Sequence, residues 1–148
     1  MAHHLNDTQK QEILQKAQVI CIIGLSPDSS KSSYGVAEFL LSQGKQIVPI
    51  YPRGGIILGC RAYTSIKEAW EALRAQGRHC DIINIFRKSE ALGEVLSEIS
   101  CLQGIAQEQP CIWVQLGLHS VQAYQIATSC GLMYEEDSCI AIEYQRLC

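Results

Sequence analysis

The stretch Val19-Ile20-Cys21-Ile22-Ile23-Gly24-Leu25-Ser26-Pro27, continued by Asp28 to Lys31 and then Ser32-Ser33-Tyr34-Gly35-Val36-Ala37, decides the fold. An unbroken apolar run meets a glycine, passes through a polar loop, and opens a helix. Runs of that kind are buried parallel strands, because helices cover both faces of the sheet. A glycine at the strand end lets backbone approach a ligand closely. The helix start behind it presents unpaired N–H groups and the positive end of a dipole, a setting for phosphate.

Outward from this unit the chain keeps alternating. A helix over 5–18, capped by Asn6 or Asp7, precedes strand 19–24. A helix over 33–43 stops at Gly44, and strand 46–50 is ended by Pro49, Pro52 and the Gly54-Gly55 pair. A brief strand over 59–65, a helix over 66–75, a strand over 81–86 and a helix over 88–100 follow. Strand 111–115, a helix over 120–130 and a short strand 132–134 complete the order. Such alternation specifies parallel strands joined by right-handed helical crossovers. The expected fold is α/β, a Rossmann-like doubly wound parallel sheet of five or six strands in a single domain. Residues 1–18 form a helical lead-in and residues 19–148 the ligand-binding domain.

Composition narrows the class of partner. The net charge of −3 leaves no basic stripe for nucleic acid. No apolar run approaches the roughly 18 residues of a membrane span. Residues 1–10 are polar and unlike a signal peptide, so a cytoplasmic location is expected. The eight cysteines form no C-x-x-C pair and no tight Cys/His cluster, a spacing poor for zinc or an iron–sulfur cluster. Apart from Cys139, they read as small hydrophobes.

Ligands of doubly wound sheets lie beyond the carboxyl ends of the strands, where strand order reverses. Those ends offer Gly24, Ser26 and Lys31 after the first long strand and Pro52 and Arg53 after the second. They offer Phe86 and Arg87 after the third and Gln115 and Gly117 after the fourth. Three cations, Lys31, Arg53 and Arg87, thus share one edge of an acidic chain. A dinucleotide fingerprint would need G-x-G-x-x-G, whereas Gly24-Leu25-Ser26-Pro27-Asp28-Ser29 lacks the later glycines. The second strand ends in Tyr51-Pro52-Arg53, with no carboxylate for ribose hydroxyls. An arginine there suits a phosphorylated ribose, which leaves NADP or coenzyme A. No P-loop is present.

Several ordered blocks carry a resemblance. Gly24-Leu25-Ser26-Pro27, Lys31 to Val36, Pro49-Ile50-Tyr51-Pro52-Arg53, Asp81 to Glu90, Trp113-Val114-Gln115-Leu116-Gly117 and Cys139 to Tyr144 match, in order, the signature blocks of small stand-alone CoA-binding proteins. These proteins are similar to the CoA-binding domain of the succinyl-CoA synthetase alpha subunit. The resemblance implies a Rossmann-like domain that binds coenzyme A or a short acyl-CoA as a carrier, sensor or accessory protein without an assigned reaction. It places the pyrophosphate on the Gly24–Ser26 loop and the Ser32, Ser33, Tyr34 and Gly35 helix start. Pro52 and Arg53 would flank the adenosine ribose and its phosphate, and Phe86 and Arg87 the adenine and diphosphate. Two positions depart from the pattern. Lys31 replaces an arginine, which loses the bidentate fork, and Tyr51 replaces an asparagine.

Catalysis has a single weak candidate, Cys139. A thiol at a helix start gains thiolate character, which the Glu135-Glu136-Asp137 run beside it opposes. A thioester- or disulfide-exchange enzyme using Cys139 and an NADP-binding reductase-like protein are the alternatives to a binding module. His119 lies at the ligand edge as a solvated residue, and Glu143 and Tyr144 are expected to anchor the C-terminal segment by hydrogen bonds. The protein partner is unspecified by the sequence.

Overall fold

The computed structural model describes all residues, Met1–Cys148. Helix α1 (Asp7–Lys16) leads into β1 (Val19–Ile23), α2 (Ser32–Ser42) and β2 (Gln46–Ile50). A small hairpin of β3 (Ile56–Ile57) and β4 (Cys60–Arg61) precedes α3 (Ile66–Ala75) and β5 (Ile82–Ile85). A 3₁₀ turn at Ser89–Ala91 runs into α4 (Leu92–Ser100), followed by the short α5 (Ile105–Glu108) and β6 (Cys111–Val114). Then come α6 (Val121–Ser129), β7 (Tyr134–Glu135) and α7 (Ile140–Leu147). No helix is long and apolar enough to cross a membrane.

Five strands form one parallel sheet in the order β2-β1-β5-β6-β7. The chain leaves β1 toward β2, then returns across β1 to lay down β5, so strand order reverses between β1 and β5. Alternation along β1 feeds two cores. Cys21 and Ile23 point into the layer of α3, α4 and α6, with Trp70, Leu96 and Ala123. Ile20 and Ile22 point into the layer of α1, α2 and α7, with Leu14, Leu40 and Ile140.

Capping chemistry explains the starts of α1, α3 and α6. Asn6 accepts from Gln9 N–H and the Gln9 side chain returns the bond to the Asn6 backbone, a capping box. Ser65 and Ser120 accept from the N–H groups of Glu68 and Ala123.

Four local expectations change. Pro49 lies inside β2, opposite Ile22, rather than ending it. β2 is an edge strand and the proline's outer side faces the Tyr63 N–H, which donates to the Pro49 carbonyl (2.9 Å), so no ladder donor is lost toward β1. Residues 59–65 form no single strand: Cys60–Arg61 turns back on Ile56–Ile57, and Tyr63 alone bridges to Ile50. The last strand is Tyr134–Glu135 rather than 132–134. Its glutamate is fully buried and held by Lys10, His4 and the Leu5 N–H. Of the cysteines read as small hydrophobes, Cys101 and Cys148 are exposed, because they fall at helix ends outside both cores.

Candidate functional site

The ladder continues one residue past the strands. Gly24 N–H donates to the Ile50 carbonyl (3.0 Å), Phe86 N–H to Ile23 (2.8 Å) and Gln115 N–H to Ile85 (3.2 Å). Gly24, Phe86 and Gln115 therefore stand in one row along the carboxyl edge, with Gly24 and Phe86 at the reversal point. Gly24 has φ +84°, and a Cβ there would lie 2.2 Å from the Phe86 carbonyl oxygen. The close approach that demands this glycine is first of all to the neighbouring strand.

The loop beyond Gly24 is tied to the helix it opens. Ser26 N–H donates to Ser33 Oγ (3.1 Å), Asp28 N–H to Ser26 Oγ (3.1 Å) and Ser30 N–H to Asp28 Oδ1 (2.9 Å). Ser33 is buried and spends its hydroxyl on this brace. Helix α2 lacks the side-chain cap that α1, α3 and α6 have, and its first turn carries no acidic residue. The Ser32 and Ser33 N–H groups donate to nothing in the chain. Gly35 lies in the same turn, and a Cβ there would meet nothing within 4 Å. Glycine disfavours a helix, so packing gives no reason for it; an approaching ligand would.

Pro52 and Arg53 form a tight turn closed by Gly54 N–H on the Tyr51 carbonyl (2.8 Å). Pro52, Gly24 and Arg87 line one cleft of about 320 Å³ with Thr64, Ser65, Ile66 and Val95, on the α3–α4 side of the edge. A volume of that order is the lower end of small-ligand pockets. Thr64 and Ser65 were not picked out from sequence, although Ser65-x-x-Glu68 carries the signature of a helix start.

Lys31 and Arg53 do not line that cleft; both extend from exposed loops on either side of it. Their common property is electrostatic. Seven of the twelve Lys and Arg side chains have a partner: Lys10, Lys16, Lys45, Arg61, Arg74, Arg78 and Arg146. The five without one are Lys31, Arg53, Lys67, Arg87 and Lys88. Lys31, Arg53, Arg87 and Lys88 follow strand ends, and Lys67 is in the first turn of α3 beside Ile66 of the cleft. Lys67 lies outside every block quoted above, and Lys88 lies within one, Asp81 to Glu90, that gave it no role.

At the far end of the row Gln115 is buried. Its Oε1 accepts from Ile140 N–H of α7 (3.3 Å) and from Asn84 Nδ2 (3.4 Å), a bracing role. Asn84 Oδ1 beneath it is buried without a partner. Gly117 N–H donates to Asp137 Oδ1 (2.6 Å), so its backbone is spent within the fold. His119 is exposed, with its N–H on Ser89 Oγ.

Cys139 is the half-buried N-cap of α7 and its thiol has no hydrogen-bond partner. It lines a cavity of about 310 Å³ with His4, Lys10, Leu116, Asp137, Ser138, Ile142 and Glu143. His4 Nδ1 (2.8 Å) and the Ser138 hydroxyl both bond Glu135 Oε2, with Ser138 Oγ also 3.4 Å from His4 Nδ1, and none of these bonds reaches the Cys139 thiol. Glu143 does anchor the C-terminal helix, through Lys10 (2.8 Å) and Arg146 (2.8 Å). Those hydrogen bonds, that of Arg146 foremost, hold its carboxyl down at about 2. Tyr144 anchors differently from expectation: its ring packs edge-on to Phe39 and under Lys45, and its hydroxyl makes no hydrogen bond. Burial pushes the Cys111 thiol well up, and at Cys21 a hydrogen bond with Cys80 adds to burial in the same direction, so both are inert packing groups.

Topology and edge chemistry together put the protein in the Rossmann-like class of α/β ligand-binding domains, and known proteins narrow the class. The chain belongs to the CoA-binding domain family, whose model, described as "CoA binding domain", matches residues 18–145. It is 31% identical over 134 residues to the uncharacterized protein YneT of Bacillus subtilis (strain 168), covering 90% of each chain. Among solved structures it is similar to "cell-free ID.343" from Thermus thermophilus, with a TM-score of 0.83 at 26% identity over 97% of this chain and 100% of that one. A hypothetical protein from Pyrococcus horikoshii OT3 shares the fold, with a TM-score of 0.81 at 22% identity over 97% and 92%. Family membership supports a CoA-binding role in general terms.

Proposed function

We propose that residues 19–148 bind coenzyme A across the carboxyl edge of the sheet, as a carrier, sensor or accessory module without an assigned reaction. The observation that carries this reading is the placement of all five unpartnered cations around that edge in a chain of net charge −3. Unpaired cations beside free helix amides suit a ligand with several phosphates.

In this reading the pyrophosphate rests on the Gly24–Ser26 loop and the Ser32 and Ser33 amides, against the open face of Gly35. Lys31 supplies charge from one side. The adenosine enters the cleft between Pro52, Thr64 and Ile66, with Arg87 over its mouth. Arg53, at the turn after β2, takes the ribose 3′-phosphate. The free thiols of all eight cysteines suit a reducing compartment, and the proposed location is the cytoplasm.

Titration calorimetry with CoA, 3′-dephospho-CoA and NADP tests the assignment. CoA should bind most tightly, and loss of the 3′-phosphate should weaken binding about tenfold, the worth of one charge-assisted contact at ~1.5 kcal/mol. Equal affinity for CoA and dephospho-CoA would remove Arg53 from the site, and preference for NADP would replace the ligand.

A further inference from the structure

Leu116 and Ile142 are 60% and 57% exposed, two of only six large hydrophobic side chains that the fold leaves in solvent. Both line the cavity of about 310 Å³ at the β6–α7 corner, together with Cys139. We propose that this cavity receives the acyl group of an acyl-CoA, and that the physiological ligand is a CoA thioester of a short, uncharged aliphatic acid. The inference rests on the coenzyme A reading above and extends it to the part of the ligand beyond the sulfur.

Position and reach agree. The phosphate cradle stands over β1 and the cavity over β6, two strand spacings away in the order β1-β5-β6, or about 10 Å. The pantetheine arm is a chain of two amides about as long as five extended residues, roughly 16 Å. Laid across the ends of β5 and β6, past Phe86, it delivers its sulfur to the Leu116–Cys139 side of the edge. Free CoA would place only a thiol there. A short alkyl chain would cover the two exposed aliphatics.

Charge selects the kind of acyl group. Asp137 and Glu143 line the cavity, and its one lysine, Lys10, is already held by Glu143 (2.8 Å) and by the buried Glu135 (3.3 Å). His4, the other possible cation, is hydrogen-bonded to the same Glu135. A succinyl or malonyl carboxylate would meet an excess of negative charge and find no free cation. An aliphatic chain meets no such penalty.

The test compares CoA, butyryl-CoA and succinyl-CoA by calorimetry, on the wild-type chain and on the Leu116→Gln/Ile142→Gln double variant. Both positions are exposed, so the variant should fold. Butyryl-CoA should bind about tenfold more tightly than CoA, a ratio expected for two to three partly buried methylenes, and succinyl-CoA no better than CoA. In the double variant butyryl-CoA should fall to the affinity of CoA. Equal affinities for CoA and butyryl-CoA in the wild type would overturn the acyl site while leaving the CoA reading intact. A butyryl preference that survives in the double variant would overturn its location. Should the variant convert a dimer to a monomer with that preference unchanged, the two aliphatics belong to an interface between copies. No binding of any of the three would bring down the CoA reading and this inference together.

Discussion

Gly24 and Gly35 are both glycines of the proposed phosphate cradle, yet they answer to different forces. At Gly24 a methyl group would collide with the Phe86 carbonyl oxygen at 2.2 Å, in a left-handed backbone. Gly24→Ala should therefore destabilise the fold by about 2 kcal/mol or more, read as a drop in Tm by circular dichroism. At Gly35 the same methyl would enter open space. Gly35→Ala should raise helix stability by about 0.5–1 kcal/mol while weakening CoA binding, because the ligand uses that space. An alanine there that stabilises the protein and leaves CoA affinity unchanged would detach α2 from the site. The need for a glycine after β1 was legible in the sequence, but its partner was not: only the register of β1 with β5 reveals that Phe86 sets the clearance.

Helices α1 and α7 are joined by a clasp of charges. Lys10 and Arg146 both hold Glu143, and Arg146 also takes Asp7 with two hydrogen bonds (2.7 and 3.0 Å). The Glu143 carboxyl drops from its ordinary 4.5 to about 2, chiefly through Arg146. A depressed carboxyl contributes stability in full above its unfolded value and loses it as the pH falls toward the folded one. Thermal melts should thus show stability declining from about pH 4.5 to about 2, and Glu143→Gln should lower Tm at pH 7 and flatten that decline. A variant with an unchanged acid limb would show the clasp to be idle. Elements announced by their ends were readable: Asn6, one of the two candidate caps, caps α1, and the Ile66–Ala75 helix stops short of Gly77. The element that misled was β7, read at 132–134 with Glu135 and Glu136 left outside it. They are buried because His3, His4, Leu5 and Lys10, more than 120 positions away, supply their partners.

For the molecule as a whole, the distribution of unpaired cations predicts how binding responds to salt. Raising ionic strength from about 0.1 M to about 1 M shortens the screening length from about 10 Å to about 3 Å. CoA affinity should fall by an order of magnitude or more across that range, with Tm of the free protein nearly constant. A doubly wound parallel sheet was accessible from the alternation of strands and helices, since parallel crossovers leave few topologies, whereas the order β2-β1-β5-β6-β7 was visible only in the fold. The gathering of Lys67 and Lys88 with Lys31, Arg53 and Arg87 was not, because only the fold shows which cations lack partners. A second cleft, of about 330 Å³, lies at the opposite edge of the sheet beneath α1, lined by Glu12, Lys16, Asp81 and Cys111. Its lysine is paired with Glu12 (2.7 Å), so it offers phosphate no free charge. Amide chemical-shift mapping of the labelled protein on addition of CoA separates the two edges directly. The largest changes should fall at Gly24 to Gly35, at Arg53 to Gly55 and at Phe86 to Lys88; changes gathered around Glu12, Asp81 and Cys111 would contradict binding at the carboxyl edge.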